Sequence, residues 1–530
     1  MIKKGFLFIV MLFISIFSFA QVDVKWGERF YNIQESCEDA QIIMEDPQGY
    51  YMWYLLNEYA GGGEFELNYY MARIDKDQNV QKIYKMDFGH SSFKIEQTWQ
   101  SGELIGFILS RVSEDAPTKT KGSRAKKQAQ KITTGKANLY YQFFHTRDMR
   151  LVGERPQRFK NYDYFAIEGQ KPYLFNFSEN KTKLAFGFLK SDTSGRSVDV
   201  EIYDDKMRLL WEKPHNLNVN NDAYIIKDIA VSNDGKRSLL AIKSFSTSKK
   251  KVYTDGKVHL VWMNEYEERK HEESIDKAWA TDFKCAFAHQ EDYLVAGYYS
   301  TTSATPDFAI GSFSFLYDHR RGHNKKSSTL EFKEYETDDD IPNKSELTLP
   351  SNMVASVDYL YPMVGGNCIM IGEQKFESKI IQPKRRGDKP TGEEANFYRD
   401  IIISNVDKTG FVNGNAYIPK RQKTYRESEQ YNSYSISRDR YGLYIMFNDH
   451  QDNYDGNAFY PKRNYNSDKS RTQINFVQVY SDGSWRWHEA YNSKINKMPF
   501  YKTLFLTLDK QILFLGHYQD NNVIGSIGTR

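Results

Sequence analysis

Ile229-Ala-Val-Ser-Asn-Asp-Gly-Lys-Arg-Ser-Leu-Leu-Ala-Ile242 is two apolar strands joined by a polar turn. The Asp supplies a side-chain acceptor and the Gly a left-handed backbone, which is what a tight connection between antiparallel strands needs. The same shape returns in Leu174-Phe-Asn-Phe-Ser-Glu-Asn-Lys-Thr-Lys-Leu-Ala-Phe-Gly-Phe188 and in Tyr434-Ser-Ile-Ser-Arg-Asp-Arg-Tyr-Gly-Leu-Tyr-Ile-Met446. A variable loop and a second hairpin separate the copies, so the unit recurs at roughly 50 to 65 residues from Cys37 to Arg530. Strand-only repeats of that period build an all-β propeller.

Each unit reads as four strands, A to D from the axis outward. Unit one begins at Ala40, unit two runs from Phe93 to Phe159, and unit three from Tyr173 to Leu217. Unit four covers Tyr224 to Ile275, unit five Phe283 to Tyr335, unit six Val357 to Ile418, and unit seven Tyr434 to Tyr491. Unit eight has strands only at Thr503 to Leu508, Ile512 to His517 and Val523 to Gly528, and is one strand short. An unpaired edge invites association, so the alternating segment from Val22 to Tyr31 is expected to supply the outer strand and close the ring. Eight blades follow, with seven as the alternative if the boundaries near Gln157 to Tyr173 or Thr337 to Ser356 fall elsewhere. Residues 21–530 are expected to form one propeller domain, since blades that pack only on neighbours let a ring outgrow a single-core domain.

The turns Phe177-Ser-Glu-Asn-Lys-Thr-Lys-Leu-Ala185 and Val231-Ser-Asn-Asp-Gly-Lys-Arg-Ser-Leu239, with a partial match at Ser437 to Tyr441, resemble the WD40-like repeats of TolB-type bacterial propellers. That resemblance implies an envelope protein working by protein contacts, without implying the family's particular partners.

Lys3 and Lys4 precede an apolar run from Phe6 that ends at Ser18-Phe-Ala20, the order of a secretory signal peptide over residues 1–20. The run is shorter than a bilayer span requires, and no later stretch is apolar enough to cross one. The mature chain is expected in the periplasm or associated with the envelope, with no sorting domain after Arg530. The 38 Tyr and 34 Phe against 14 Pro suit strands whose rings pack across and between sheets. A net charge of +3 excludes a global nucleic-acid binder. Cys37, Cys285 and Cys368 form no metal spacing and are read as buried free thiols, with a meeting of Cys285 and Cys368, in apolar strands of consecutive units, as the alternative.

A four-stranded meander puts its B-to-C loops on the face where strand A begins. These loops are the long basic ones, with Lys126 and Lys127 in unit two, Lys249, Lys250 and Lys251 in unit four, Lys384, Arg385 and Arg386 in unit six, and Lys462 and Arg463 in unit seven. Together they predict a positively charged binding face, suited to an envelope protein, an acidic glycan or a lipid phosphate. The acidic run Glu334 to Asp340 brings opposite charge to the same side.

Catalytic and cofactor motifs are missing: there is no HExxH, no G-x-S-x-G, no phosphate-binding glycine loop, and no Ser-x-Asp-x-Gly-x-Thr-Trp. Gln451 to Asn457 lacks the acid that an EF-hand places at its twelfth position, where Lys462 stands, and His319 to His323 reads as a surface turn. No cofactor or metal is expected. The sequence therefore reads as a non-catalytic scaffold or accessory subunit of an envelope complex. The alternative is a carbohydrate or anionic-polymer binder using Tyr253, Tyr398, Tyr454, Phe459, Tyr460 and Tyr465 as stacking rings. A third reading, a hydrolase or lyase, requires carboxylates at the mouth of the central channel.

Overall fold

The computed structural model describes residues 24–30, 37–61, 64–89, 93–111, 132–167, 171–192, 195–217, 222–248, 251–288, 291–301, 309–332, 354–381, 392–425, 432–438, 442–455, 458–459, 465, 471–492, 500–507, 511–518 and 521–528. They form a ring of antiparallel four-stranded meanders. Blade one runs from strand Cys37–Asp46 to Val80–Met86, blade two from Phe93–Ser101 to Arg150–Ile167, and blade three from Tyr173–Phe177 to Leu209–Leu217. Blade four runs from Asp222–Val231 to Glu268–Glu273, blade five from Trp279–Phe287 to Asn324–Glu331, and blade six from Val354–Pro362 to Val412–Ile418. Blade seven runs from Ser435–Arg438 to Trp485–Asn492. Blades two and three share one continuous sheet through the pairing of Lys190 with Tyr164.

Blade eight takes three strands from the end of the chain, Phe500–Thr507, Gln511–Tyr518 and Asn521–Gly528, and its outer strand from Val24–Phe30. Val24 lies opposite Ile527 and Trp26 opposite Gly525, so the expected closing strand is in place. Trp26 packs edge-on to Phe514 at 5.2 Å, and its ring lies so close to Gly516 and Gly525 that a Cβ at either would collide with it.

The core explains the apolar runs. Strand B of each blade has a neighbour on both faces, so consecutive residues, which point to opposite faces, are all buried. Leu240 joins Val200 of blade three, while its neighbour Leu239 joins Phe313 of blade five. Ile371 packs with Ile445 of blade seven, and Met370 with Leu294 of blade five. Similar clusters join blades one and two through Met71 and Phe107, two and three through Leu139 and Phe186, and seven and eight through Phe476 and Ile512. The last cluster closes the circle by packing Leu513 and Ile524 of blade eight on Ile42 and Met52 of blade one.

Cys285 and Cys368 are buried and free, and burial pushes the Cys368 thiol up to about 12. Among the described residues no helix is long and apolar enough to cross a membrane.

Candidate functional site in the channel

The A-to-B and C-to-D turns share one face and brace one another. In the turn quoted first, Ser232 Oγ donates to Asp234 at 2.6 Å and accepts from the Arg237 amide at 3.1 Å, with Gly235 at φ 75°. Trp211 Nε1 of blade three donates to Gly235 O at 2.7 Å, and Trp99 Nε1 of blade two donates to Asp205 O of blade three at 2.8 Å. Asn405 of blade six reaches Asp482 O of blade seven at 2.8 Å, and Ser314 of blade five reaches Gly410 O of blade six at 2.8 Å. Arg237 and Glu291 join blades four and five through two contacts of 2.7 Å.

At this end the channel is crossed. Arg438 closes strand A of blade seven, Glu179 sits in the first turn of blade three, and the two side chains meet at 2.7 Å. Blades three and seven stand opposite each other in a ring of eight, so the ion pair spans the axis.

The other half of the channel holds a cavity of about 700 Å³. Its walls are the opening halves of the inner strands: Asp39 to Gln41 of blade one, Ile95 to Gln97 of blade two, Val357 to Tyr359 of blade six and Ser435 to Ile436 of blade seven. Because strand A begins on the loop face, the cavity lies on that side. Lys284 of blade five and Lys375 from strand B of blade six also line it.

Four of its charged side chains, Asp358, Lys375, Glu96 and Lys284, stand beside opposite charges. Lys375 Nζ stands 3.6 Å from Asp358 and 3.3 Å from Glu373, while Lys171 holds Glu96 at 2.6 Å and Lys284 faces Asp228 at 3.5 Å. Burial pushes the Asp358 carboxyl up; Lys375 opposes this and Glu373 adds to it. For Lys375 burial acts downward, but Glu373 and Asp358 outweigh it and raise the ammonium. For Glu96 burial acts upward, yet Lys171 and Ser110 hold the carboxyl below its usual range. Beneath the wall, Lys420 and Glu373 form a fully buried ion pair, with Ser433 Oγ donating to Glu373 at 2.6 Å. Burial lowers the Lys420 ammonium despite Glu373. The Tyr434 hydroxyl donates to Asp358 at 2.8 Å, and burial raises that phenol far enough to keep it a donor rather than a base. Ser435 is 4% exposed, and among the described residues its Oγ has no hydrogen-bond partner.

The residues expected to carry binding fall differently. Lys126, Lys127, Lys249, Lys250, Lys384, Arg385, Arg386, Lys462 and Arg463 lie outside the described residues. Lys251 opens strand Lys251–Asn264 opposite Ser248, and its side chain is outside them too. Residues 1–20 and the acidic run 334–340 also fall there, as do the side chains of Cys37, Tyr253, Tyr454, Phe459 and Tyr460.

Two expected stacking rings are corrected. Tyr398 is 7% exposed, and Tyr465 is fully buried in the core between blades eight and one. Tyr465 is drawn inward because its backbone exchanges hydrogen bonds with Arg421 and Lys423, tying the long blade-seven loop to the segment leaving blade six. Around Gln451 the chain makes a short 3-10 turn, Gln451–Asn453. Sequence reasoning missed the channel residues, whose only signal was a polar side chain inside an otherwise apolar inner strand, as in Val357-Asp-Tyr359.

No protein-family model matches the sequence, and no curated protein matches it. Among solved structures, prolyl oligopeptidase B from Galerina marginata is similar at a TM-score of 0.40 and 9% identity over 92% of this chain. This chain spans 56% of that enzyme's length. Polysaccharide lyase Uly1 has a TM-score of 0.34 and 9% identity, covering 93% of this chain and 100% of its own. The WD40 domain of SCAP from fission yeast has a TM-score of 0.26 and 6% identity over 75% of this chain and 91% of its own. These neighbours include propeller-like folds, and likeness at this level carries no argument about function.

Proposed function

We propose that this protein is an exported docking module of the bacterial cell envelope, a rigid propeller that serves as a protein–protein scaffold or accessory subunit in the periplasm. The observation that carries this reading is the unequal treatment of the two faces. One is made of short turns hydrogen-bonded to their neighbours. The strand ends that flank 112–131 and 382–391, and the one that runs into Gln451–Asn453, lie on the other. A scaffold braced on one side and elaborated on the other is how loops are held for recognition. The basic side chains in those loops add attraction for an acidic partner surface. Carbohydrate binding through the aromatic rings of the loop face is weakened as an alternative, because Tyr398 and Tyr465 belong to the core.

Cross-linking in the native envelope, followed by purification of the tagged chain, tests the reading. A stoichiometric protein partner that is lost when 112–131 and 382–391 are shortened supports it. Recovery of the chain alone sinks it.

A further inference from the structure

We propose that the outer edge of blade eight is a strand-acceptor site for a second copy of this chain: two molecules exchange their first strands, Val24–Phe30, and each closes the other's ring. This inference concerns the seam of the ring and does not rest on the docking reading.

The seam is built as a key and a slot. Gly516 and Gly525, on neighbouring strands of blade eight, leave the side-chain-free space that the Trp26 indole fills, edge-on to Phe514 at 5.2 Å. A Cβ on Gly516 would stand 2.6 Å from Trp26 Cζ3 and 2.8 Å from Cη2, and the next nearest atom is Val523 O at 3.7 Å, so the space is kept for this ring. The residue after the indole must be small as well. A Cβ on Gly27 would stand 2.4 Å from Gln78 O in the C-to-D turn of blade one, and that turn is held to blade eight by Gln78 Nε2, which donates to Ser526 Oγ at 2.6 Å. Slot and turn together accept a strand carrying Trp-Gly. Of the eight Trp in the sequence, Trp26 alone is followed by Gly. The strand that fits is this chain's own, from the same molecule or from another.

Two features favour exchange. The accepted strand is the first in the chain and its acceptor, Asn521–Gly528, the last, so the strand made first waits unpaired for the one made last. Once seated it is bonded on one side only, in a register broken between Trp26 and Arg29. Pairing within one molecule and pairing between two make the same contacts, so only the tether separates them. A short tether, here residues 31–36, is equivalent to a concentration on the order of 1 mM. At about 100 µM protein, roughly one exchanged dimer forms for every ten monomers.

The test is refolding of the full-length protein from urea at about 100 µM and about 1 µM, read by size exclusion with light scattering. Roughly one dimer per ten monomers is expected at the higher concentration and about one per thousand at the lower. Exchanged dimers persist on dilution, because each ring must reopen before they part. Two substitutions then locate the contact. Trp26→Ala empties the slot and Gly516→Ala fills it, so each variant is mismatched within its own ring. Mixed before refolding, they exchange into a heterodimer in which the intact indole meets the intact slot and the truncated side chain meets the filled one. Native mass spectrometry is expected to find that heterodimer roughly tenfold above either homodimer. The inference is overturned if the parent refolds only to monomer at about 100 µM, if its dimer falls apart within minutes of dilution, or if the mixed variants give no more dimer than each does alone. Where a variant fails to refold, the parent's yield and its persistence on dilution decide.

Discussion

Replacing Lys420 with Met probes the foundation on which the channel wall stands. Lys420 and Glu373 are each 0% exposed and paired, in the segment that leaves blade six and in its second strand. Lys420 Nζ also donates to Gln422 Oε1 at 3.1 Å, and Gln422 Nε2 donates to the Ser433 carbonyl at 3.2 Å, so the pair ties blade six to the entry of blade seven. Removing one member of a buried ion pair costs about 3–5 kcal/mol, because the other is left uncompensated. Here Glu373 keeps Ser433 Oγ at 2.6 Å and Lys375 at 3.3 Å, but Lys375 is 38% exposed and water screens its charge. The expected cost is therefore at the lower end, about 3 kcal/mol. Removing both charges, as in Lys420→Met with Glu373→Leu, is expected to recover about 2 kcal/mol of that loss. A ring of blades need not unfold in one step. The assay is therefore hydrogen exchange over 368–381 and 432–448, which reads the local opening free energy of blades six and seven. A loss below about 1 kcal/mol for Lys420→Met, or a double variant worse than the sum of the single ones, refutes the argument.

Deleting the closing ring in Trp26→Ala removes the contact with Phe514 and is expected to cost about 2–3 kcal/mol, less than a fully buried Trp, with faster association as the outer edge of blade eight frays. Differential scanning calorimetry and light scattering check it. Burial raises the Asp358 carboxyl, so its share of stability is complete below its ordinary pKa and is lost as pH rises through the folded value. Asp358→Asn should therefore gain melting temperature relative to the parent on going from about pH 4 to 7, and parallel curves would count against this sign. Ser435→Ala should raise the stability of the ligand-free protein by about 1 kcal/mol, measured by urea unfolding, since it deletes an unsatisfied buried hydroxyl. Gly235→Ala should cost about 1–2 kcal/mol, chiefly from a left-handed φ of 75°, because the nearest atoms are ends of the flexible Lys183 and Leu210 side chains.

Much of the ring was legible because its rules are local. A turn such as Ser232 to Arg237 needs only residues within a few positions of one another, and its Ser, Asp and Gly make the contacts their types suggest. Runs such as Leu443 to Met446 announce a strand buried on both faces. The missing strand of blade eight was legible by counting, since one unpaired edge at the end required one spare strand at the start. The stacking rings were misjudged for the complementary reason. Whether Tyr465 faces solvent depends on where a long loop comes to rest, and its backbone bonds to Arg421 and Lys423 pull it into the core.

The sequence by itself determined the repeat, the strand order and the closing strand, because backbone pairing and side-chain alternation act over neighbouring residues. Only the tertiary structure decided what the channel contains. Glu96, Asp358, Lys375 and Ser435 come from three blades and are far apart in the chain, and Arg438 meets Glu179 across the axis. Their meeting is set by the number of blades and the radius at which the ring closes, a property of the closed circle that no single repeat encodes.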